Sequence, residues 1–259
     1  MSRGRRHPEH LRAVLGLLCL FALGAVHASS PGERFAQAAQ AYDAEQFETA
    51  VTLYEGLVRD GFRAPELFFN LGNAHFRAGN MGAAVLYYKK AAHLAPRERA
   101  IGHNLEFALL QADAAHVAPS APARWLRMLS LSEWALAATI AWWLTALSLV
   151  RVLWPSRMRR GWSGSTTLTA LVLMFSLAGL MQWASLHFRP EVVVTQPGQE
   201  ARFAPFDGST AHFALPVGSV ALVEERTDDG WYKVRVGEKG GYIRQTAATV
   251  IDPWKTGLE

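Results

Sequence analysis

Cysteine is almost missing from this chain of 259 residues. The single one, Cys19, falls in an apolar run near the start. That run reads as a removable leader, and a chain without it has no thiol. Disulfides, a thiolate nucleophile and cysteine-ligated zinc are thereby excluded, even in an oxidising compartment. Metal-ligand spacing is also lacking: the nine histidines are scattered, and none has a partner at ligand spacing with a carboxylate. Phosphate-cradling loops are absent. Gly161-Trp162-Ser163-Gly164 comes nearest to a nucleophile elbow, but Ser165 breaks it at the fifth position and no strand-turn-helix context surrounds it. Ser130 and Ser132 have no base nearby. These absences predict a protein that is not an enzyme and takes no metal or cofactor. A surplus of one charge is lacking too. The net charge of +4 and pI of 9.4 come from the leader and the apolar segments' flanks. Residues 29–123 and 187–259 each carry eight basic and ten acidic side chains. Nucleic acid is therefore not an expected partner.

What the chain has in excess is uninterrupted apolar sequence. Trp134 to Val150 is uncharged, and the run continues past Arg151 to Trp154; Gly161 to Leu186 is uncharged as well. About 20 apolar residues cross a bilayer as a helix. We assign residues 132–154 and 165–187 to two membrane helices and 155–164 to the loop between them. Arg157, Arg159 and Arg160, with Arg151 just inside, mark that loop as cytoplasmic. Everything before and after the hairpin then lies on the opposite, non-cytoplasmic face. The N-terminus agrees. Arg3, Arg5, Arg6 and Arg12 precede the apolar run Ala13 to Val26, and Ala25-Val26-His27-Ala28 presents small residues at the cleavage positions. Residues 1–28 thus read as a secretory signal cut after Ala28, with an uncleaved anchor as the alternative. Trp125, Trp134, Trp142, Trp143, Trp154, Trp162 and Trp183 cluster about the hairpin, where several fit interfacial anchors. Thr139, Thr145, Ser148, Ser176 and Gln182 are candidates for hydrogen bonds across it.

Residues 29–117 read as amphipathic helices. Phe35, Ala38, Ala50 and Tyr54 recur 34 residues later as Phe69, Gly72, Ala84 and Tyr88. That period, with Phe68, Leu71, Gly72, Gly79, Ala84, Tyr88, Ala91 and Pro96, resembles the tetratricopeptide repeat, a stack of antiparallel helix pairs. Gly72 and Ala84 are small where the two helices cross, and Pro96 stops the second. His75 departs from the usual tyrosine. A helix from Ile101 to about Ala115 is expected to cap the stack. In such arrays the first helix of each pair lines a groove. By position that face is Phe35, Ala39, Tyr42 and Asp43, then Glu66, Phe69, Asn73, Phe76 and Arg77, continued by His103 and Phe107. Asn73 and Arg77 suit an extended peptide or its carboxylate; Phe69, Phe76 and Phe107 equally suit packing between helices. Residues 118–131 are read as a semi-extended Pro/Ala/Ser linker and an interfacial segment.

From residue 188 the pattern changes to period two. Strands are expected at Glu191–Val194, Ser219–Glu225, Trp231–Val236, Tyr242–Arg244 and Ala248–Ile251, with turns at Asp228-Asp229-Gly230, Gly237 and Gly240-Gly241. Leu215-Pro216-Val217-Gly218, Gly230-Trp231-Tyr232-Lys233-Val234 and Gly241-Tyr242-Ile243 resemble a bacterial SH3-like domain, a small all-β barrel over 188–259. Phe206, Phe213, Trp231 and Tyr242 are its candidate groove residues, Trp231 and Tyr242 serving equally as barrel core.

The order of parts resembles the BatE-type proteins of bacterial aerotolerance operons. Leu67 to Ala74, Ala78 to Tyr88 and Asn104 to Ala108 carry the likeness. The resemblance implies a multidomain membrane protein: a tetratricopeptide solenoid, a two-helix hairpin and an SH3-like barrel in the bacterial inner membrane. It further implies a non-enzymatic scaffold whose partners are von Willebrand A-type membrane proteins linked to a MoxR-type ATPase. The alternative is an envelope module that binds peptidoglycan and recruits a hydrolase or synthase.

Overall fold

The computed structural model describes residues 30–116, 120–153, 163–188 and 190–252. The leader, the arginines Arg157, Arg159 and Arg160, and Trp154 and Trp162 lie outside them. Among the described residues there are eight α-helices and one seven-stranded antiparallel sheet.

Five helices come first: α1 (Pro31–Asp43), α2 (Phe47–Arg59), α3 (Pro65–Arg77), α4 (Met81–Leu94) and α5 (Arg99–Gln111). The 34-residue period is present in the backbone. Helices α1 and α3 start 34 residues apart, as do α2 and α4. The turn inside each pair repeats as well: Glu45 and Gly79 both have positive φ, 59° and 81°. The next residues, Gln46 and Asn80, have φ of −85° and ψ of 67° and 68°. Glycine takes the left-handed region freely; at Glu45 it costs about 1–2 kcal/mol. Ser30 and Glu33 close α1 with a capping box. Tyr54, Phe68 and Leu71 are fully buried between the helices. Gly72 lets α3 meet α4, since a Cβ there would lie 2.6 Å from the ring of Tyr88. Helix α5 ends at Gln111, short of the expected Ala115, and Asp113 turns the chain out at φ 47°.

The segment expected to be an extended linker includes a helix, α6 (Ala121–Leu126). Pro122 sits in its first turn and the Ser120 hydroxyl caps Ala123. Two long helices follow, α7 (Leu131–Leu153) and α8 (Ser163–Phe188). Leu131–Arg151 and Gly164–Ser185 are each long and apolar enough to cross a membrane. They pack on small residues: Ala138, Ala141, Ser148 and Ser176 are buried, and Trp134 lies over Gly179. Ser148 and Thr169 approach across the pair at 3.4 Å. Thr139, Thr145 and Ser176 instead bond back to carbonyls of their own helices. The outer faces, with Leu136, Ile140, Trp143, Met174 and Met181, are exposed among the described residues.

The strands are β1 (Glu191–Val194), β2 (Gln199–Arg202), β3 (Ala211–Leu215), β4 (Val220–Arg226), β5 (Trp231–Val236), β6 (Lys239–Arg244) and β7 (Ala248–Val250). Their order is β3-β2-β6-β5-β4-β1-β7, an open sheet. Strands β2 and β3 were not expected. Only Ala201 of β2 is buried, so no apolar alternation marks it. Gly240 and Gly241, expected as a turn, lie inside β6 opposite Arg235 and Val234. A Cβ on Gly241 would lie 2.8 Å from that of Ala201; close strand approach, not turning, demands glycine there. The β4–β5 loop has one positive φ, at Gly230, which marks a three-residue loop ending in a left-handed glycine.

Helices and sheet share a core. Val192 and Val194 of β1 face the sheet interior, whereas Val193, with Val220 and Ile251, packs on Val85, Leu86, Tyr88 and Leu109. The period of two delivers one strand to two cores. Ala115, beyond α5, joins the sheet: its N–H donates to Ser219 Oγ and its carbonyl accepts from Val220 N at 2.8 Å.

Gly72→Ala is expected to lower the stability of the detergent-solubilised protein by about 1–3 kcal/mol through overpacking. Gly102→Ala, on the exposed side of α5 with nothing within 4 Å, is expected to raise it by about 0.4–1 kcal/mol. Thermal unfolding of the two variants side by side checks both.

Candidate functional site

Helices α1, α2 and α3 border a recess of about 200 Å³ lined by Ala39, Tyr42, Asp43, Tyr54, Asn70 and Asn73. Tyr42 and Asn73, singled out from the sequence, thus come together. Tyr42 also rests its edge on Phe47, at 5.5 Å between centroids. Asn73 is engaged within the fold. Its Oδ1 accepts from the Tyr88 hydroxyl at 2.7 Å and from Asn104 Nδ2 at 2.9 Å. That acceptor ties α3 to α4 and α5, and no hydrogen bond among the described residues uses the Asn73 Nδ2. Phe69 is half-buried, 6.0 Å from Tyr88, and acts as packing. Phe76 and Phe107 meet at 5.6 Å, with Phe107 still 47% exposed. Arg77 is exposed, its guanidinium 4.4 Å over Phe47 and 3.9 Å from Glu45. His103 is exposed on α5. The helical face therefore offers a small recess lined in part by Asp43, and elsewhere an exposed Arg77 and an aromatic ledge at Phe107.

The four aromatic residues of the sheet do not form one surface. Trp231 is buried beneath Arg244, whose guanidinium lies 4.4 Å from the ring centroid and is held by both carboxylate oxygens of Asp207. Phe213 packs against the sheet core. Tyr242 is half-buried, opposite Lys233 and Arg202. Phe206 is open, and so is Phe203, unnoticed in the sequence, which stacks on His212 at 4.1 Å. Of the topology arginines only Arg151 is described, at the end of α7. Among the described residues no group of three His, Cys, Asp or Glu is placed to hold a metal.

A buried cluster of charged side chains was also missed. Glu191 begins β1 and is 7% exposed. Its Oε2 accepts from Lys89 Nζ of α4 at 2.9 Å and its Oε1 from Arg127, just beyond α6, at 3.1 Å. His93 of α4 stands beside them, with the edge of its ring on Trp183 of α8. Burial alone would raise the Glu191 pKa; Lys89, His93 and Arg127 outweigh it and hold the carboxyl at about 2. Burial pulls His93 down to about 4, Lys89 and Arg127 adding to the fall, Glu191 and Asp252 opposing it. These partners are 102 and 64 residues from Glu191, so no local pattern signals them. Two indole N–H groups brace the same place: Trp134 donates to the Leu126 carbonyl and Trp183 to that of Leu129.

Compared with protein-family models, curated proteins and solved structures, the chain matches none.

Glu191→Ala leaves Lys89 and Arg127 facing each other without their carboxylate and is expected to cost about 3–5 kcal/mol. Acid acts in the same direction. His93 takes up its proton in the unfolded chain near 6.5 but in the folded one only near 4, so its contribution, complete above pH 6.5, is lost between those values. Glu191 follows from 4.5 to about 2. Melting temperature is expected to fall continuously with acidification from pH 6.5. Measuring it for wild type and His93→Gln, the variant lacking the upper part of the fall, checks the assignment.

Proposed function

We propose that this chain is a non-enzymatic scaffold anchored in the bacterial inner membrane. On this reading its helical part is a short tetratricopeptide array and its sheet an SH3-like module. Both lie in the periplasm and hold protein partners there. The observation that carries the reading is the shared core of the two soluble parts at one end of a pair of apolar helices. Parts that bury Val85, Leu86, Val193 and Val220 against one another cannot lie on opposite sides of a bilayer. The exposed outer faces of α7 and α8 favour lipid, since apolar belts of this length are not left in water. The basic loop then gives the cytoplasmic side.

The array reading draws on the 34-residue repeat of helices, turn and dihedral angles. The three stretches that carry the BatE-type resemblance fall on α3, α4 and α5. Partners on that resemblance are von Willebrand A-type membrane proteins linked to a MoxR-type ATPase. A groove of two pairs is small, so contact is expected to centre on Tyr42, Arg77 and Phe107. A second reading, binding to peptidoglycan, draws on the exposed rings of Phe203 and Phe206.

Two measurements test this. Single cysteines placed at Gly102 and Thr210 in a chain with Cys19→Ser are expected to react with an impermeant maleimide on spheroplasts. One at Arg159 is expected to react only after permeabilisation; the opposite pattern overturns the topology. Crosslinked pull-down from native membranes is expected to recover von Willebrand A-type proteins, with recovery reduced about tenfold or more by Arg77→Ala with Phe107→Ala. Recovery of muropeptides instead, sensitive to Phe203→Ala, would favour the second reading.

A further inference from the structure

The recess bordered by α1, α2 and α3 has a chemistry that narrows what can enter it. Ala39, Tyr42 and Tyr54 give it apolar and aromatic walls, and Asp43, Asn70 and Asn73 are its polar groups. The two amides are engaged within the fold. Asn73 Oδ1 accepts from Tyr88 and Asn104, and the Asn70 side chain bonds the Tyr54 hydroxyl. Asp43 is different. It is the last residue of α1 and is exposed, and its carboxylate enters no hydrogen bond or ion pair among the described residues. Burial raises the Tyr54 pKa, Asn70 opposes the rise, and the negative charge of Asp43 adds to it. Tyr54 is 1% exposed, so that charge is felt on the buried side of the recess.

The charge balance decides what fits. No lysine, arginine or histidine lines the recess. Arg77, further along α3, is engaged with Glu45 and the Phe47 ring instead. An incoming carboxylate or phosphate would meet Asp43 with nothing to balance it, whereas a cation gains a partner. Of the two cationic side chains, arginine suits these walls better. Its guanidinium is flat and weakly hydrated, stacks on aromatic rings and grips a carboxylate through two N–H groups at once. Lysine offers a compact, strongly hydrated point charge. Sites that enclose a whole small ligand run to about 300–1,000 Å³. A recess of about 200 Å³ takes one side chain and leaves the rest of its owner outside.

We infer that this recess binds an arginine side chain of a partner polypeptide, the guanidinium paired with Asp43 and lying against Tyr42. This rests on the proposed function, in which the helices hold protein partners, and names the residue type that they grip.

The test is titration of the full chain in detergent micelles with a blocked Gly-Gly-Arg-Gly-Gly peptide. Its counterparts carry lysine, or citrulline as the uncharged isostere, in place of arginine; free arginine is the fourth probe. Saturable binding of the arginine peptide is expected, weakened about tenfold or more by citrulline and by Asp43→Asn alike. No saturable binding, equal binding of the citrulline peptide, or binding unchanged in a folded Asp43→Asn chain would overturn the inference. Equal binding of the lysine peptide would overturn the choice of guanidinium. Free arginine binding tenfold tighter than the peptide would overturn the polypeptide source. If Asp43→Asn does not fold, the citrulline comparison decides on the wild-type chain alone. Recovery of von Willebrand A-type proteins without binding of the arginine peptide defeats this inference and leaves the scaffold standing; peptide binding without such recovery defeats the named partners and leaves the site.

Discussion

A carboxylate buried at the start of a strand has to be paired, and the arrangement of this molecule follows from how Glu191 is paired. An ionised carboxyl without partners in the interior is too costly for a fold to keep. Lys89 comes from the helices and Arg127 from the segment that opens the hairpin, while Glu191 belongs to the sheet. One charge therefore ties three parts of the chain at one point. The indole N–H groups of Trp134 and Trp183, bonded to carbonyls of the same segment, hold the two long helices there. Arg97 and Glu133 add an ion pair between the helical part and α7.

That junction changes what the soluble parts can do. Two modules on a mobile linker would bind independently. Here they share a hydrophobic core, and the strand β1 is buried on both faces because it serves both. Each fully buried valine of this kind contributes about 1.5–3 kcal/mol, so separation exposes several such residues together. The helical face is thus held at a set distance from the sheet and from α7 and α8. A cleft lined by His75 exists only because the two parts are docked, its walls coming from α4 on one side and the segments after β1 and β3 on the other.

The helical part was legible because its signals are local. Apolar residues at i, i+3 and i+4 mark α1 to α5, and the 34-residue echo of Ala50 and Tyr54 in Ala84 and Tyr88 ties two pairs together. The small residue required at Gly72 was readable for the same reason. Strands β2 and β3 were not, since an edge strand with one buried residue carries no alternation. Glycines misled at 240 and 241: a turn and a close strand approach both ask for a missing Cβ. Of the groove positions, Tyr42 and Asn73 meet as their helix faces require, yet Asn73 spends its acceptor on Tyr88 and Asn104. Trp231 is covered by Arg244 and Phe213 packs partly buried on the sheet core, so the two do not stand open together.

The sequence by itself determined the five helices of the repeat-like part, in kind and order, and the two apolar runs with their basic loop. Each depends on neighbours within a few turns of chain or on composition alone. Only the tertiary structure decided that helices and sheet form one body, that Glu191 finds Lys89 and Arg127, and that His75 is buried beside Glu55. Those pairings join residues far apart in the chain. Distance, burial and charge acquire meaning for them only after the backbone has closed.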